Sequence, residues 1–264
     1  MSKALKVQTY KKVDLFFEYS GYQAIRKELL HKLKESDSLI IKTLTISNCN
    51  LNDIELYELL VFLSNDFNLE YLSEIEVSCN DITGTGVGYL SDFLHRNKSI
   101  QILELAGNLL LMKADGMSNL LKLIQDNPQL KDLSLLGCEI DDTVLCHLSK
   151  AIVSSKLKVL DLRENPEVTK VGIKNLLLEY KRSNEHLLST LDLSDSDIDN
   201  ELEELVNGLK GTISITFYKE GSSYQDGESE TGSSVGSSYS SPSEVDLQDS
   251  EIIGVVPSMF DFEL

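Results

Sequence analysis

Residues 130 to 140 read Leu130-x-x-Leu133-x-Leu135-x-x-Cys138-x-Ile140, and the same phrase recurs along most of the chain. Successive copies are separated by 27 to 31 residues. A period of this size predicts a repeat architecture, because each unit has room for one strand, one helix and two loops. The second apolar position of the successive copies is occupied by Leu44, Ile75, Leu103, Leu133, Leu160 and Leu191.

Between the copies, apolar residues recur three or four positions apart. This spacing predicts helices that each bury one face. A single strand-helix unit cannot bury its own apolar face, so neighbouring units are expected to stack. The apolar sets are Ile54, Leu56, Leu59, Leu60 and Leu63; Val87, Leu90, Phe93 and Leu94; Met117, Leu120, Leu121 and Ile124; Val144, Leu145, Leu148 and Ile152; and Val171, Leu176, Leu177 and Tyr180.

Over about residues 38 to 210 the pattern resembles leucine-rich repeat proteins of the ribonuclease-inhibitor-like subtype. The resemblance implies an α/β solenoid shaped like a horseshoe, with a parallel β-sheet on its concave side and helices on its convex side. The polar position after each strand is expected to satisfy backbone groups of the adjacent loops. That position holds Cys49, Asn80, Asn108, Cys138, Asn165 and Ser196.

Four segments are predicted. Residues 1–37 form an N-terminal cap, since Leu15-x-Phe17 repeats the core spacing. Residues 38–218 form the solenoid, with about six full repeats and a closing strand over 213–217. Residues 219–251 have too few apolar side chains to offset the entropy of ordering, which predicts a disordered Ser/Gly/acidic linker. Residues 252–264 are apolar again.

The C-terminal peptide is a candidate docking segment through Phe260, Phe262 and Leu264. Phe262-x-Leu264 resembles a class II PDZ ligand, which adds a strand to the edge of a sheet. Two alternatives stay open, namely that the peptide folds back onto its own solenoid or that it has no role.

The net charge of −19 makes nucleic acid and anionic membranes poor partners, and favours a protein with a basic surface. No apolar run approaches the length of a membrane span, and the N-terminus has no apolar signal region. The four cysteines lie in or beside repeat positions, which predicts free thiols rather than disulfides. We therefore expect a cytoplasmic monomer, or a protein of the host cytosol if the chain is a secreted effector.

The predicted partner-binding site is the concave sheet face. Side chains that alternate with the buried leucines point out of this face. They combine acids, one arginine and scattered apolar residues, which suits a basic protein segment. The predicted contact residues are Thr45, Glu74, Glu76, Ile102, Glu104, Asp132, Ser134, Leu136, Asp161, Arg163 and Asp192.

No catalytic, cofactor or metal motif is recognisable in the sequence. The histidines His31, His95, His147 and His186 fall in different repeats without metal-ligand spacing. Gly84-x-Gly86-x-Gly88 is interpreted as a loop in which glycines permit tight turning. We therefore expect no catalytic residues, no metal and no cofactor.

The favoured function is a non-enzymatic scaffold or adaptor that binds a protein on the acidic concave sheet. One alternative is a bacterial effector, because the Ser/Glu-rich tail with an apolar end resembles type IV secretion signals. Another alternative is a regulator of a small GTPase or another enzyme, which would depend on Arg163 or on the acids of the sheet.

Overall fold

A computed structural model describes residues 11–35, 39–109, 111–112, 115–183, 186–194, 198–219 and 250–255. No helix in these ranges combines the length and the apolar character needed to cross a membrane. The elements follow the order β1 (Lys11–Glu18), α1 (Tyr22–Glu35), β2 (Leu39–Ser47), α2 (Asp53–Asp66), β3 (Glu74–Glu76), α3 (Gly84–Arg96), β4 (Ile102–Glu104), α4 (Gly116–Asp126), β5 (Asp132–Ser134), α5 (Asp142–Ser154), β6 (Val159–Asp161), α6 (Lys170–Arg182), β7 (Thr190–Ser194), α7 (Asn200–Gly208), β8 (Ser214–Tyr218) and β9 (Ser250–Val255).

Strands β1 to β8 form one parallel sheet in sequence order, and one helix connects each of these strands to the next. The predicted repeats pair in register, because Leu133 lies opposite Leu103 on one side and Leu160 on the other. The same alignment continues to Leu44 and to Leu191. The prediction of an α/β fold built on a parallel sheet is confirmed.

Both ends of the sheet carry an additional strand. At one end β8 pairs with β7, which places a strand where the sequence predicted a closing strand. At the other end β9 runs parallel to β1, with pairs from Lys12↔Ser250 to Phe17↔Val255. The strand starts two residues before the predicted boundary of the C-terminal peptide. Phe260, Phe262 and Leu264 lie outside the described residues.

One continuous apolar core joins the inner side chains of the strands to the inner faces of the helices. Three residues assigned to buried helix faces are instead exposed, Ile54 by 69%, Val171 by 56% and Met117 by 39%. At 100° per residue, Leu59 and Leu63 follow Ile54 by 140° and 180°, so Ile54 lies on the opposite face of α2. Val171 has the same relation to the buried residues of α6.

Buried asparagines connect neighbouring loops after the strands. The Asn80 Oδ1 accepts hydrogen bonds from the backbone N–H groups of Cys49 and Leu51, both at 3.0 Å. Its Nδ2 donates to three backbone carbonyl groups, including that of Ile46 at 2.7 Å. Asn165 acts in the same way. The Asn108 Nδ2 likewise donates to three carbonyl groups, while its Oδ1 accepts from the backbone N–H of Ile82. The predicted role of this position is therefore confirmed for the asparagines, while Ser196 lies outside the described residues.

The two cysteines in this series perform only part of the asparagine's role. Each thiol donates to a backbone carbonyl group, as Cys138 does to Leu105 at 3.2 Å. Cys49 makes the equivalent contact with Phe17 of the preceding strand at 3.6 Å and a closer, local one with Ser47 at 3.1 Å. Both thiols are buried and free, while Cys79 and Cys146 are free and exposed.

The interpretation of Gly86 as a turn glycine is wrong. Gly86 lies in the first turn of α3, and a Cβ there would collide with the carboxylate of Asp53. That carboxylate accepts from the backbone N–H of Thr83, the N-cap of α3, at 2.9 Å. Glycine is needed because a carboxylate from the preceding repeat occupies the space. Gly172 has the same relation to Asp142.

Replacing Gly172 with alanine tests this close approach. We expect Gly172→Ala to lower the free energy of unfolding by about 1–3 kcal/mol, because the new methyl group overpacks against Asp142. The matched control is Gly208→Ala in α7, where nothing lies within 4 Å of the new Cβ. That change is expected to be neutral or to stabilise by up to about 1 kcal/mol. Urea unfolding measures both values, and equal effects would contradict the steric explanation.

Candidate functional site

One long groove runs across the sheet on the face opposite the core. Its floor consists of the outward side chains that alternate along each strand with the buried ones. We call the surface that these outward side chains form the open sheet face. In each repeat they form a first row one residue before the central core residue, a second row one residue after it, and a third row two residues further on. The third row lies just beyond the ends of β3, β4, β5 and β6. The predicted contact residues that line the groove are Glu74, Glu76, Ile102, Glu104, Asp132, Ser134, Leu136, Asp161 and Arg163.

Two predicted contact residues do not line this groove. Thr45 is 7% exposed and lies in the second row between two larger side chains, Phe16 and Glu76. Asp192 is 1% exposed, and its side chain is hydrogen-bonded to Tyr218 of the next strand. Direct contact of either residue with a partner remains a prediction, but their burial makes them weaker candidates.

The groove also contains residues that the sequence reasoning missed. Phe16 and Glu18 line it at the β1 end, and Ser78 lies in its third row. Phe16 and Glu18 pair with Thr45 and Ser47 of β2, so continuing the rows by one repeat would have found them. Tyr218 could have been found by the same extension into β8, since it pairs with Ser194.

A single arginine pairs with Asp161 at the β6–β8 end of the open sheet face. The Arg163 Nε and Nη2 donate to the Asp161 Oδ1 and Oδ2 at 3.0 and 2.7 Å. The guanidinium carbon lies 4.6 Å from the ring centre of Tyr218. The hydrogen bonds to Asp161 raise the pKa of Arg163, while burial acts in the opposite direction. We call Asp161, Arg163, Asp192 and Tyr218 the arginine cluster.

The middle of the open sheet face has no such compensation. Glu74, Glu76, Glu104 and Asp132 lie on three adjacent strands, and we call them the carboxylate cluster. The Glu76 Oε1 accepts from the Ser47 Oγ at 2.7 Å. Within the described residues, the Glu104 carboxylate has neither a hydrogen-bond donor nor a cation as a partner. Ile102 lies between Glu74 and Asp132 in the first row, so an apolar surface is surrounded by acids.

Glu74, Glu104 and Asp132 of the carboxylate cluster hold protons more tightly than ordinary carboxyl groups do. Burial raises the pKa of Glu104 to about 7, and the negative charges of Glu76, Glu74, Asp161 and Asp132 add to this shift. Burial, followed by the charge of Glu76, also raises the pKa of Glu74. Burial raises the pKa of Asp132 as well, although Lys158 and Lys131 oppose it. The cluster is therefore an unbalanced negative site that a cation would stabilise.

The raised pKa of Glu104 predicts a pH-dependent stability. The folded pKa of about 7 lies above the unfolded value, so the folded chain binds more protons between about pH 4.5 and 7. Stability is therefore lost as the pH rises through this window. Glu104→Gln removes the ionisation, and we expect it to stabilise the protein by about 1–2 kcal/mol more at pH 8 than at pH 5, after a discount for solvent screening.

Chemical denaturation at the two pH values measures this difference. The control is Glu203→Gln on the exposed surface of α7, for which we expect changes below about 0.5 kcal/mol at both pH values. An equal stabilisation at pH 5 and pH 8 would show that Glu104 is already ionised at the lower pH.

The groove also contains a thiol. Cys79 lines it, but burial and the charges of Glu76 and Glu164 raise the pKa of its thiol and disfavour the nucleophilic thiolate. No described histidine lines the groove. Among the described residues, no group of three or more histidine, cysteine or acidic side chains is arranged to hold a metal ion.

No family model matches this chain.

Proposed function

We propose that the chain is a leucine-rich repeat protein of the ribonuclease-inhibitor-like subtype. In this proposal the strands and helices form a horseshoe-shaped solenoid whose concave side is the open sheet face. Its function is to bind a protein with a basic surface, as a scaffold or adaptor without enzymatic activity of its own. The observation that carries the proposal is the carboxylate cluster, whose central member Glu104 has no cation within the described chain.

Two features support a protein as the ligand. Eight strands about 4.8 Å apart give a surface more than 30 Å long, which is the scale of a protein interface. Half-buried apolar side chains, Ile102 and Leu136, lie among the acids and provide apolar contact area. Lysine and arginine can lay their aliphatic stems on such residues while the charged ends reach the carboxylates.

The alternatives differ in the part of the chain they require. The effector alternative depends mainly on the C-terminal tail, most of which lies outside the described residues. The enzyme-regulator alternative needs an available Arg163, but the guanidinium is bonded to Asp161 and stacked on Tyr218. That engagement favours the binding-module proposal over a role for Arg163 on a partner's phosphate.

Peptide selection tests the proposed function. Phage-displayed random 12-residue peptides are selected on the full chain at roughly physiological salt, and recovered peptides are titrated by calorimetry. We expect them to combine basic and apolar residues. Their affinity should fall at least tenfold, or about 1.4 kcal/mol, for the variant Glu74→Gln, Glu104→Gln, Asp132→Asn.

The matched control removes three exposed charges away from the groove, through Asp66→Asn, Glu203→Gln and Glu204→Gln. We expect affinities within about twofold of the wild type, since these acids lie on the surfaces of helices. An equal loss in both variants would reveal attraction to net charge alone. Recovery of neutral peptides that ignore the carboxylate cluster would contradict the proposal.

A further inference from the structure

Strands β4 and β6 differ in a way that points to a more specific site. The second-row acid at the end of β6, Asp161, is bonded to the third-row Arg163, which follows the strand by two residues. The second row at the end of β4 again holds an acid, Glu104, but the third-row residue that follows the strand is Ala106. Successive outward residues lie about 6.8 Å apart along an extended chain, so Ala106 has the same position relative to Glu104 as Arg163 has relative to Asp161. The β4 repeat therefore has the carboxylate of this arrangement and lacks the guanidinium.

The walls of the space above Ala106 are also defined. Backbone hydrogen bonds continue the register, from Cys79 to Ala106 at 2.7 Å and from Gly107 to Leu136 at 2.8 Å. Ser78 therefore flanks Ala106 on one side and Leu136 flanks it on the other, and all three line the groove.

Ser78 gives a second, independent indication of a ligand. Ser78 is 7% exposed, and among the residues that the structure describes its buried Oγ finds no hydrogen-bond partner. Buried hydroxyl groups are normally paired, so this one lacks an expected partner. Rotation about χ1 can turn the hydroxyl toward the space above Ala106, where it can accept from an N–H group.

We propose that the space above Ala106 is a pocket for one arginine side chain of the partner protein. The guanidinium lies on Glu104, one of its N–H groups donates to the Ser78 Oγ, and the aliphatic stem packs on Leu136. This inference rests on the proposed function and narrows it to one recognised side chain. Arg163 on Asp161 is the example within the chain of how this sheet holds a guanidinium with two parallel hydrogen bonds.

Geometry favours arginine over lysine in this pocket. A guanidinium presents a planar fork that matches a carboxylate at two atoms, whereas an ammonium is a point charge without that match. The charged groups around Glu104 are Glu74 and Glu76 on β3, Asp132 on β5 and Asp161 on β6, the last already paired with Arg163.

Guanidinium binding should favour the ionised Glu104 and so depend on pH. Because the pKa of Glu104 in the protein without a ligand is about 7, the ionised fraction of this carboxyl group is about 0.09 at pH 6 and about 0.91 at pH 8. We therefore expect binding to be about tenfold tighter at pH 8 than at pH 6.

An NMR titration of the full chain tests the pocket with small probes at low salt and pH 8. The probes are N-acetyl-arginine amide, its lysine counterpart, and its citrulline counterpart, which is a neutral shape mimic. We expect the arginine probe to shift the Glu104 side-chain carboxyl and the Ser78 and Ala106 amides at millimolar concentration. The citrulline probe should cause no shift, and the lysine probe should bind at least threefold more weakly. Equal binding of lysine and arginine, or shifts spread over acids throughout the chain, would overturn the pocket.

The variant Ala106→Arg supplies the missing side chain from the chain itself. We expect it to abolish the response to the arginine probe and to lower the midpoint of the Glu104 titration by at least one pH unit. The size-matched Ala106→Gln should leave that midpoint near the wild-type value. An unchanged Glu104 midpoint in a folded Ala106→Arg protein would overturn the proposed geometry.

These results separate the pocket from the proposed function. If selected basic peptides bind through the carboxylate cluster but do not compete with the arginine probe, only the pocket is wrong. If no basic peptide depends on the cluster, the proposed function fails.

Discussion

Asn165→Ala is expected to lower the free energy of unfolding by about 3–5 kcal/mol. The Asn165 Oδ1 accepts from the backbone N–H groups of Cys138 and Ile140 at 3.0 and 2.9 Å. Alanine leaves both buried donors without a partner, and each unsatisfied group costs about 1–3 kcal/mol. The lost donations to three carbonyl groups, including that of Leu135, add to this. Equilibrium unfolding in urea measures the loss.

Two further variants make the explanation specific. Asn175→Ala, on the exposed side of α6, is expected to change stability by less than about 0.5 kcal/mol. Asn165→Cys should destabilise less than Asn165→Ala, because Cys138 shows that a thiol can serve the carbonyl side of this position. A loss below about 1 kcal/mol for Asn165→Ala would mean that other groups hold the adjacent loops.

Arg163→Met is expected to destabilise the protein by about 2–4 kcal/mol. The Asp161 side chain is largely buried, and removing the guanidinium leaves its charge uncompensated next to Asp192. The contact with the Tyr218 ring is lost as well. Thermal or urea unfolding at pH 7 measures the change.

The control for this change is Arg182→Met, because its bridge to Glu179 lies on an exposed helix surface. We expect less than about 0.5 kcal/mol there. Combining Arg163→Met with Asp161→Asn should recover at least about 1 kcal/mol, since the unpaired charge is removed together with its partner. Strictly additive losses would show that the two side chains do not act as a pair.

The strand register and the composition of the open sheet face were predictable from the sequence. Side chains alternate along a strand, and each repeat places Glu74, Ile102 and Asp132 in equivalent positions. A residue's row therefore follows from its distance to the core leucine. The buried faces of the helices were less predictable. Ile54 fits an apolar spacing, yet in the first turn of α2 its side chain lies about half a turn away from the buried face.

The division of the open sheet face into two electrostatic regions was not predictable. It depends on Arg163 turning back to Asp161 and stacking on Tyr218, a residue from a strand two positions away. No local pattern encodes that side-chain choice. The prediction from the sequence therefore gave the same role to all six acids among the predicted contact residues. In the structure Asp161 is hydrogen-bonded to Arg163 and Asp192 to Tyr218, whereas Glu104 has no such partner among the described residues.

The position of the C-terminal strand was also open. An apolar peptide after an acidic linker fits docking in cis, docking on a partner, or no role. Pairing of Ser250–Val255 with β1 places part of the peptide at the sheet edge. Edge pairing depends on which strand is left unpaired in the fold, which the peptide's own sequence does not specify.

The most direct measurement is an NMR titration of the Glu104 side-chain carboxyl carbon, with and without a selected basic peptide. For the free protein we predict a midpoint of about 7, because burial and neighbouring acids disfavour ionisation. Bound peptide should lower the midpoint by more than one unit. A midpoint near the ordinary value of about 4.3 that the peptide leaves unchanged would contradict an unbalanced binding site at the centre of the sheet.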